Sequence, residues 1–416
     1  MRLALPIFAI LLSTSQVFAA AVTYEGVLGG VPIVAEITEP QDGAVVGRFF
    51  YRSYGGDVPL QARRADGNFW SLSEEAPCLP GACATAADDD DAQARPPLAA
   101  TWLLTRSADG QHISGGRKPA GKSAGRLAIE LERVAQRALP VAATVTPDTL
   151  RNTALMAADD RSLSFTSEAL PYDMLKMDVA LDTGPVQTVA GASFQYVVDP
   201  RTKFAFPRVV ALPDGSDTAP INRALASEHA RLNAAAFQCL SAGYAGFGWN
   251  DAMGPAPADS LGWYDEAQLR VTYLSPTVMS WVAAGSSFCG GPGPQHYSTS
   301  HNYDVVAGAP LALSKIFKGW RTGERGGAPA ELIDWLVNEV ATVQSPGMDQ
   351  DCPLKDLIAE HLAIRFETGD TVVFTLEGLP SAISACQRDI KSARLADIAT
   401  MLAPGAANYF PALTMK

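Results

Sequence analysis

Five histidines, six cysteines and a scatter of carboxylates are the side chains with which this chain could do chemistry. Two of the histidines stand close together, in His296-Tyr297-Ser298-Thr299-Ser300-His301, just ahead of Asp304. Two imidazoles and a carboxylate form a zinc donor set, since that ion takes nitrogen and oxygen ligands in tetrahedral sites. A strand through this segment works against it. Side chains alternate along a strand, so His296 and His301 fall on opposite faces, and only a turn or bulge between them brings the rings together. No metal, cofactor or catalytic set is therefore expected, and His296, His301 and Asp304 are the nearest approach to a metal site. The other histidines, His112, His229 and His361, are isolated in sequence. The chain has no G-x-S-x-G nucleophile elbow, no H-E-x-x-H zinc helix and no P-loop.

The remaining chemical groups read as structural. Asp304 can accept the backbone N–H groups of a turn that follows it. Gly285, Gly290, Gly291 and Gly293 suit a backbone that needs positive φ better than a phosphate site, because no helix follows directly. Trp263, Tyr264, Tyr273, Trp281, Phe288 and Tyr297 read as core rather than as a binding surface. Asp88-Asp89-Asp90-Asp91 offers the oxygens that Ca²⁺ takes, but it lacks the glycine and final glutamate of an EF-hand loop. It reads as a solvated loop.

Six cysteines raise the question of compartment. Arg2, the apolar run over 3–12 and Val17-Phe18-Ala19 have the form of a secretory signal peptide, residues 1–19, cleaved after Ala19. The apolar run is shorter than the roughly 20 residues that span a bilayer. No later segment is long enough, so no transmembrane segment is expected, and the mature chain is expected in the periplasm or secreted. No cysteine lies near the cleavage point, which argues against a lipid anchor. That compartment is oxidising, and the cysteines read as disulfides. Their positions single out Cys78–Cys83 around a Leu-Pro-Gly-Ala loop, Cys239–Cys289 between a helical run and a Gly-Gly turn, and Cys352–Cys386 flanking the last part of the chain. A zinc cluster is the rival, but no C-x-x-C pair is present.

These groups need two or three domains to carry them, since 416 residues exceed the roughly 250–300 that one core serves. With 47% hydrophobic and 18% charged residues the composition is that of a globular protein. A net charge of −12 and a pI near 4.9 exclude nucleic acid as a partner and favour a basic one. Residues 22–135 read as an all-β domain, a sandwich or small barrel, because 31–37 and 46–51 alternate and Asp-Gly turns recur at 42–43, 66–67 and 109–110. Residues 136–160 read as a linker running into a short helix begun by Asp148. Residues 161–410 read as an α+β domain.

Within that domain 175–181 and 193–198 have strand-like patterns. Thr218 can cap a helix starting at Pro220, with Ile221, Leu225, Leu232, Ala236 and Leu240 on one face. Further helices are predicted over 329–343, around Leu354, Leu357, Ile358 and His361, and over 393–402, with a strand at 371–376. Leu269, Val271 and Tyr273, then Val278, Ser280 and Val282, alternate, and a second run follows from Tyr303. Residues 269–317 are thus expected as an antiparallel pair about a turn at 289–294.

This last stretch resembles the RsiV-like extracytoplasmic domain. The family pattern is a strand, a Gly-Gly turn usually followed by Ala-His, a strand carrying Tyr-Asp, then a Gly turn and L-x-L-x-x-x-F. Gly290-Gly291, Tyr303-Asp304, Gly308 and Leu311, Leu313 and Phe317 match it. Pro292-Gly293-Pro294-Gln295 stands in place of Ala-His, with His296 further on. Gly378-Leu379 and Cys386 resemble the family's ending, so the likeness covers about residues 206–402. The family is largely of unknown function; it includes a lysozyme-sensing anti-sigma factor and a segment beside the catalytic domain of a peptidoglycan deacetylase.

The resemblance implies an α+β fold behind the all-β domain and an exported, non-enzymatic protein of the cell envelope. Its partner would be a basic lysozyme-like protein or a cell-wall glycan, with Gly290, Gly291, His296, Tyr297, Tyr303 and Asp304 as candidate contacts. Two other readings stay open. One is an enzyme or accessory unit acting on cell-wall glycan through a metal at His296, His301 and Asp304. The other is a structural envelope protein.

Overall fold

The computed structural model describes residues 20–40, 43–79, 83, 96–121, 125–139, 145–160, 162–249, 268–287, 289, 295–321, 327–341 and 352–414. The expected leader, the 88–91 acidic run, Trp263, Tyr264, Phe288, Gly290 and Gly291 lie outside the described residues.

Alternating apolar side chains close the first part of the chain into a barrel. Its strands are β1 (Ala20–Leu28), β2 (Val31–Thr38), β3 (Gly47–Tyr51), β4 (Val58–Asp66), β5 (Phe69–Glu75), β6 (Leu98–Arg106), β7 (His112–Pro119) and β8 (Leu127–Ala138). Each pairs antiparallel with its sequence neighbour, and β1 pairs with β8, so no edge is left open. Of sandwich and barrel, the barrel is what forms. Tyr24, Ile33, Phe49, Trp70, Trp102 and Ile129 are among the side chains that fill its interior. The closure needs Gly26, where a Cβ would sit 1.9 Å from the Glu130 carbonyl oxygen.

The outer face of β2 and β3 is covered rather than exposed. Val34 and Phe50, which alternate with the inward Ile33, Ala35 and Phe49, pack on Tyr172. The covering elements are α1 (Pro147–Asp159) and α2 (Pro171–Met177). Thr146 caps α1: its hydroxyl accepts from the Thr149 N–H, and the Thr149 hydroxyl accepts from the Thr146 N–H. The helix over α2 corrects the strand expected at 175–181. Pro171 supports the first turn, and the helix puts Tyr172, Asp173 and Lys176 together against the barrel, where all three are buried.

Three small sheets follow. The first joins β9 (Asp182–Val189), β10 (Ala192–Val198) and β11 (Ala205–Ala211). After α3 (Ala219–Ser241) comes the second, of β12 (Gln268–Leu274), β13 (Val278–Ser287), β14 (Gln295–Asp304) and β15 (Ala309–Pro310). Then α4 (Ala330–Ala341) and α5 (Leu354–His361) precede the third, of β16 (Leu362–Glu367), β17 (Thr371–Leu376) and β18 (Asp389–Arg394). On α3, Ile221 and Leu225 join Phe206, Leu274 and Trp281 in one core. A second core gathers Phe317, Leu332, Leu336, Phe366 and Phe374.

The helix expected over 393–402 is divided. β18 takes its first residues, pairing Ala393 with Val372, and only Leu395–Met401 is helical, as 3-10 turns. The strand prevails because the second side of β17 needs backbone partners. All three expected disulfides are present, and no cysteine is free. Among the described residues no helix is long and apolar enough to cross a membrane.

Candidate functional site

β14 runs unbroken from Gln295 to Asp304, so its side chains alternate. Tyr297, Thr299, His301 and Tyr303 take one face; His296, Ser298, Ser300, Asn302 and Asp304 take the other. His296 and His301 therefore lie on opposite sides, opposite Ser286 and Trp281 of β13. Among the described residues no three His, Cys, Asp or Glu side chains come together in a way that could hold a metal ion.

Asp304 is engaged in the fold. It accepts from the Ala307 N–H at 3.0 Å, the Tyr409 hydroxyl at 2.9 Å and Lys315 Nζ at 3.2 Å. Burial opposes its charge, but these donors outweigh burial and hold the pKa below the ordinary carboxylate value. They close the turn at Gly308, which has φ +60° and where a Cβ would lie 2.4 Å from the Pro220 carbonyl oxygen. Tyr303 is 3% exposed and Asp304 6%, so neither offers a surface to a partner. His296 is exposed and Tyr297 half-buried.

The Tyr297–Thr299–His301 face borders a cleft of about 300 Å³ against α3. Phe206, Leu269 and Trp281 line it together with Ala283, Tyr297, Thr299 and His301 on the strand side. Glu228, Arg231, Leu232 and Ala235 form the helix side, and Ala158 of α1 also contributes. The four α3 residues share one face because they are spaced by three and four. Arg231 is held at the α1 end, donating to the carbonyls of Ala157, Ala158, Asp160 and Leu163. It thus satisfies groups that the end of α1 leaves without helical partners.

Rings run through the site as a column. His301 stacks on Trp281 with centroids 5.1 Å apart, and Trp281 meets Tyr303 at 4.8 Å. Phe206 meets Trp281 edge-on at 6.2 Å and stacks on His229 at 5.1 Å. His229 is 2% exposed. Burial and the neighbouring Arg208 push its pKa down to about 4, so the column ends on a neutral ring. Arg208 Nη2 lies 3.4 Å from His229 Nδ1, and burial lowers the Arg208 pKa to about 10.

A second polar constellation lies between the barrel and the helices. Arg48 reaches Glu36 at 2.8 Å, Asp57 at 3.2 Å and Asp173 at 2.8 Å. Arg137 reaches Glu36 at 2.6 Å, and Lys176 reaches Asp57 at 2.6 Å. Three cations thus meet three anions in a buried joint, and the space beside Arg48 is only about 20 Å³. That is room for about one water molecule, so the joint holds elements together rather than a ligand.

Sequence patterns pointed to Tyr297 and His301 but not to Phe206, Glu228, Arg231 or Leu232. The available signal was the mixed Glu-Arg-Leu-Ala stripe on α3, which runs beside its apolar one. No protein-family model matches this chain, and no curated protein matches it.

Proposed function

We propose that the chain is an exported, non-enzymatic binding protein of the cell envelope, with its binding site in the cleft between α3 and β14. The observation that carries this is the composition of the cleft wall. Tyr297 and His301 bring rings, and Thr299 and Glu228 bring polar side chains, to the lining of the same space of about 300 Å³. Small-molecule sites of roughly 300–1,000 Å³ have this mixture of apolar walls and a few polar groups. A sugar ring suits it, because its C–H face packs on an aromatic ring while its hydroxyls bond at the rim. A cell-wall glycan fragment is therefore the favoured ligand. The three disulfides are consistent with an oxidising compartment.

The net charge of −12 favours a second reading, in which a basic lysozyme-type protein is steered to the acidic chain, as the RsiV-like resemblance implies. A zinc enzyme at His296, His301 and Asp304 is not proposed, because His296 and His301 lie on opposite faces of β14.

Calorimetric titration distinguishes these ligands. Soluble peptidoglycan fragments and a c-type lysozyme would be titrated separately, at low and physiological salt, into the wild type, Tyr297→Ala and His301→Ala. The glycan reading expects fragment binding that each substitution weakens about tenfold, or about 1.4 kcal/mol. Lysozyme binding that survives physiological salt and ignores both substitutions would move the site elsewhere. Binding of neither would remove the proposal.

A further inference from the structure

We infer that the Cys239–Cys289 disulfide is a redox-sensitive clamp on the cleft, opened by a dithiol reductant before the other two bonds. The inference rests on the cleft being the binding site. On α3, Cys239 follows Ala235 by four residues, so it lies one turn further along the face that carries Glu228, Arg231 and Leu232. On the opposite wall Ala283 belongs to β13, and Cys289 lies two residues past the end of that strand. The bond thus ties the two walls together at one end. This is the end at which Tyr297 pairs with Gly285, and His301 lies towards the other.

Accessibility separates this bond from the rest. Exchange requires a thiolate to reach a disulfide sulfur, and exposed bonds are the labile ones. Cys78, Cys83, Cys239, Cys352 and Cys386 are all buried; Cys289 alone is partly exposed. Cys289 is the half of the bond that solvent reaches in part, so the attack is assigned to its Sγ. A thiolate of the dithiol forms a mixed disulfide there and expels the Cys239 thiolate, which takes up a proton. The second thiol of the reductant then attacks its own sulfur in the mixed disulfide. Cys289 leaves as a thiol and the reductant becomes a cyclic disulfide, two electrons having passed to the protein. The covalent tie between the walls is then gone, and the separation that places Tyr297 across from α3 is no longer fixed by it.

The test is stepwise reduction of the oxidised protein with a dithiol, read by thiol mapping, hydrogen exchange and titration with soluble peptidoglycan fragments. Cys239 and Cys289 should be labelled while the other pairs persist. Exchange should quicken over residues 228–239, 281–287 and 295–301, and fragment affinity should fall at least about tenfold, or about 1.4 kcal/mol. A Cys239→Ser/Cys289→Ser variant should reproduce the loss with a cooperative melt, and reoxidation of the wild type should reverse it. Reduction of this pair last, or unchanged exchange once it is open, overturns the clamp. If the oxidised wild type binds no fragment yet exchange quickens on reduction, the ligand assignment fails and the clamp stands.

Discussion

His229 is neutral at pH values where an ordinary imidazole carries a proton. Burial, and then the charge of Arg208, lower its pKa from 6.5 to about 4 in the folded chain. Asp199 favours the charged form but is outweighed. Between those values the unfolded chain binds more protons than the folded one, so stability rises with pH across the window. The contribution is full above about pH 6.5 and is lost as the pH falls towards 4, at a total of about 3 kcal/mol. Glu36 and Asp57, whose pKa values are lowered, respond at lower pH, as their unfolded carboxyls begin to protonate. Urea midpoints at pH 7, 5.5 and 4.5 should therefore fall more steeply for the wild type than for His229→Phe, which keeps a ring on Phe206. Parallel declines would assign the loss to other groups.

At the scale of elements, what sequence could show was decided by range. The barrel strands were legible because a two-residue alternation and a turn are local signals. The run over 269–282, expected as one partner of an antiparallel pair, instead folds back on itself as β12 and β13, and the second partner begins at Gln295 rather than at Tyr303. The α2 helix was not legible, because Leu175, Met177 and Val179 alternate as a strand would, and only the barrel surface rewards the helical alternative. The contact between sheets left no local trace either. Asn302 donates to the Ile364 carbonyl at 2.6 Å and accepts from the Ser280 hydroxyl at 2.8 Å, while the Phe366 N–H donates to Ser280 Oγ at 3.2 Å. Two side chains thus satisfy main-chain groups on the side of β16 away from β17. Asn302→Ala strands the Ile364 carbonyl and should cost about 1–3 kcal/mol. It should also speed hydrogen exchange at Phe366 while leaving the barrel amides unchanged. Exchange that rises equally in both would mean the contact is not local to these sheets.

For the whole molecule the decisive joint is the buried charge cluster, whose members are far apart in sequence; Arg48 and Asp173 are separated by 125 residues. No motif could have announced it, since each charge lies alone among ordinary strand or helix residues. Its logic is balance: Arg48, Arg137 and Lys176 against Glu36, Asp57 and Asp173. Arg48 bonds carboxylates from the barrel and from α2, and Lys176 of α2 reaches Asp57, so the cluster couples their folding. Arg48→Met removes one cation and leaves the three carboxylates short of a partner in a space with room for about one water molecule. Breaking one side of such a buried group costs about 3–5 kcal/mol, a large part of the roughly 5–15 kcal/mol that holds a domain folded. Because the barrel has its own interior core, it should survive when the joint fails. Calorimetry of the wild type should show one cooperative transition, and Arg48→Met should show two, the helices and small sheets melting first. A single transition, shifted by only a degree or two, would mean that α3 rather than the charge cluster couples the barrel to the rest. The Asp57 backbone N–H donates to Ser241 Oγ of α3 at 2.7 Å, and Ser241→Ala would then be the variant that divides the melt.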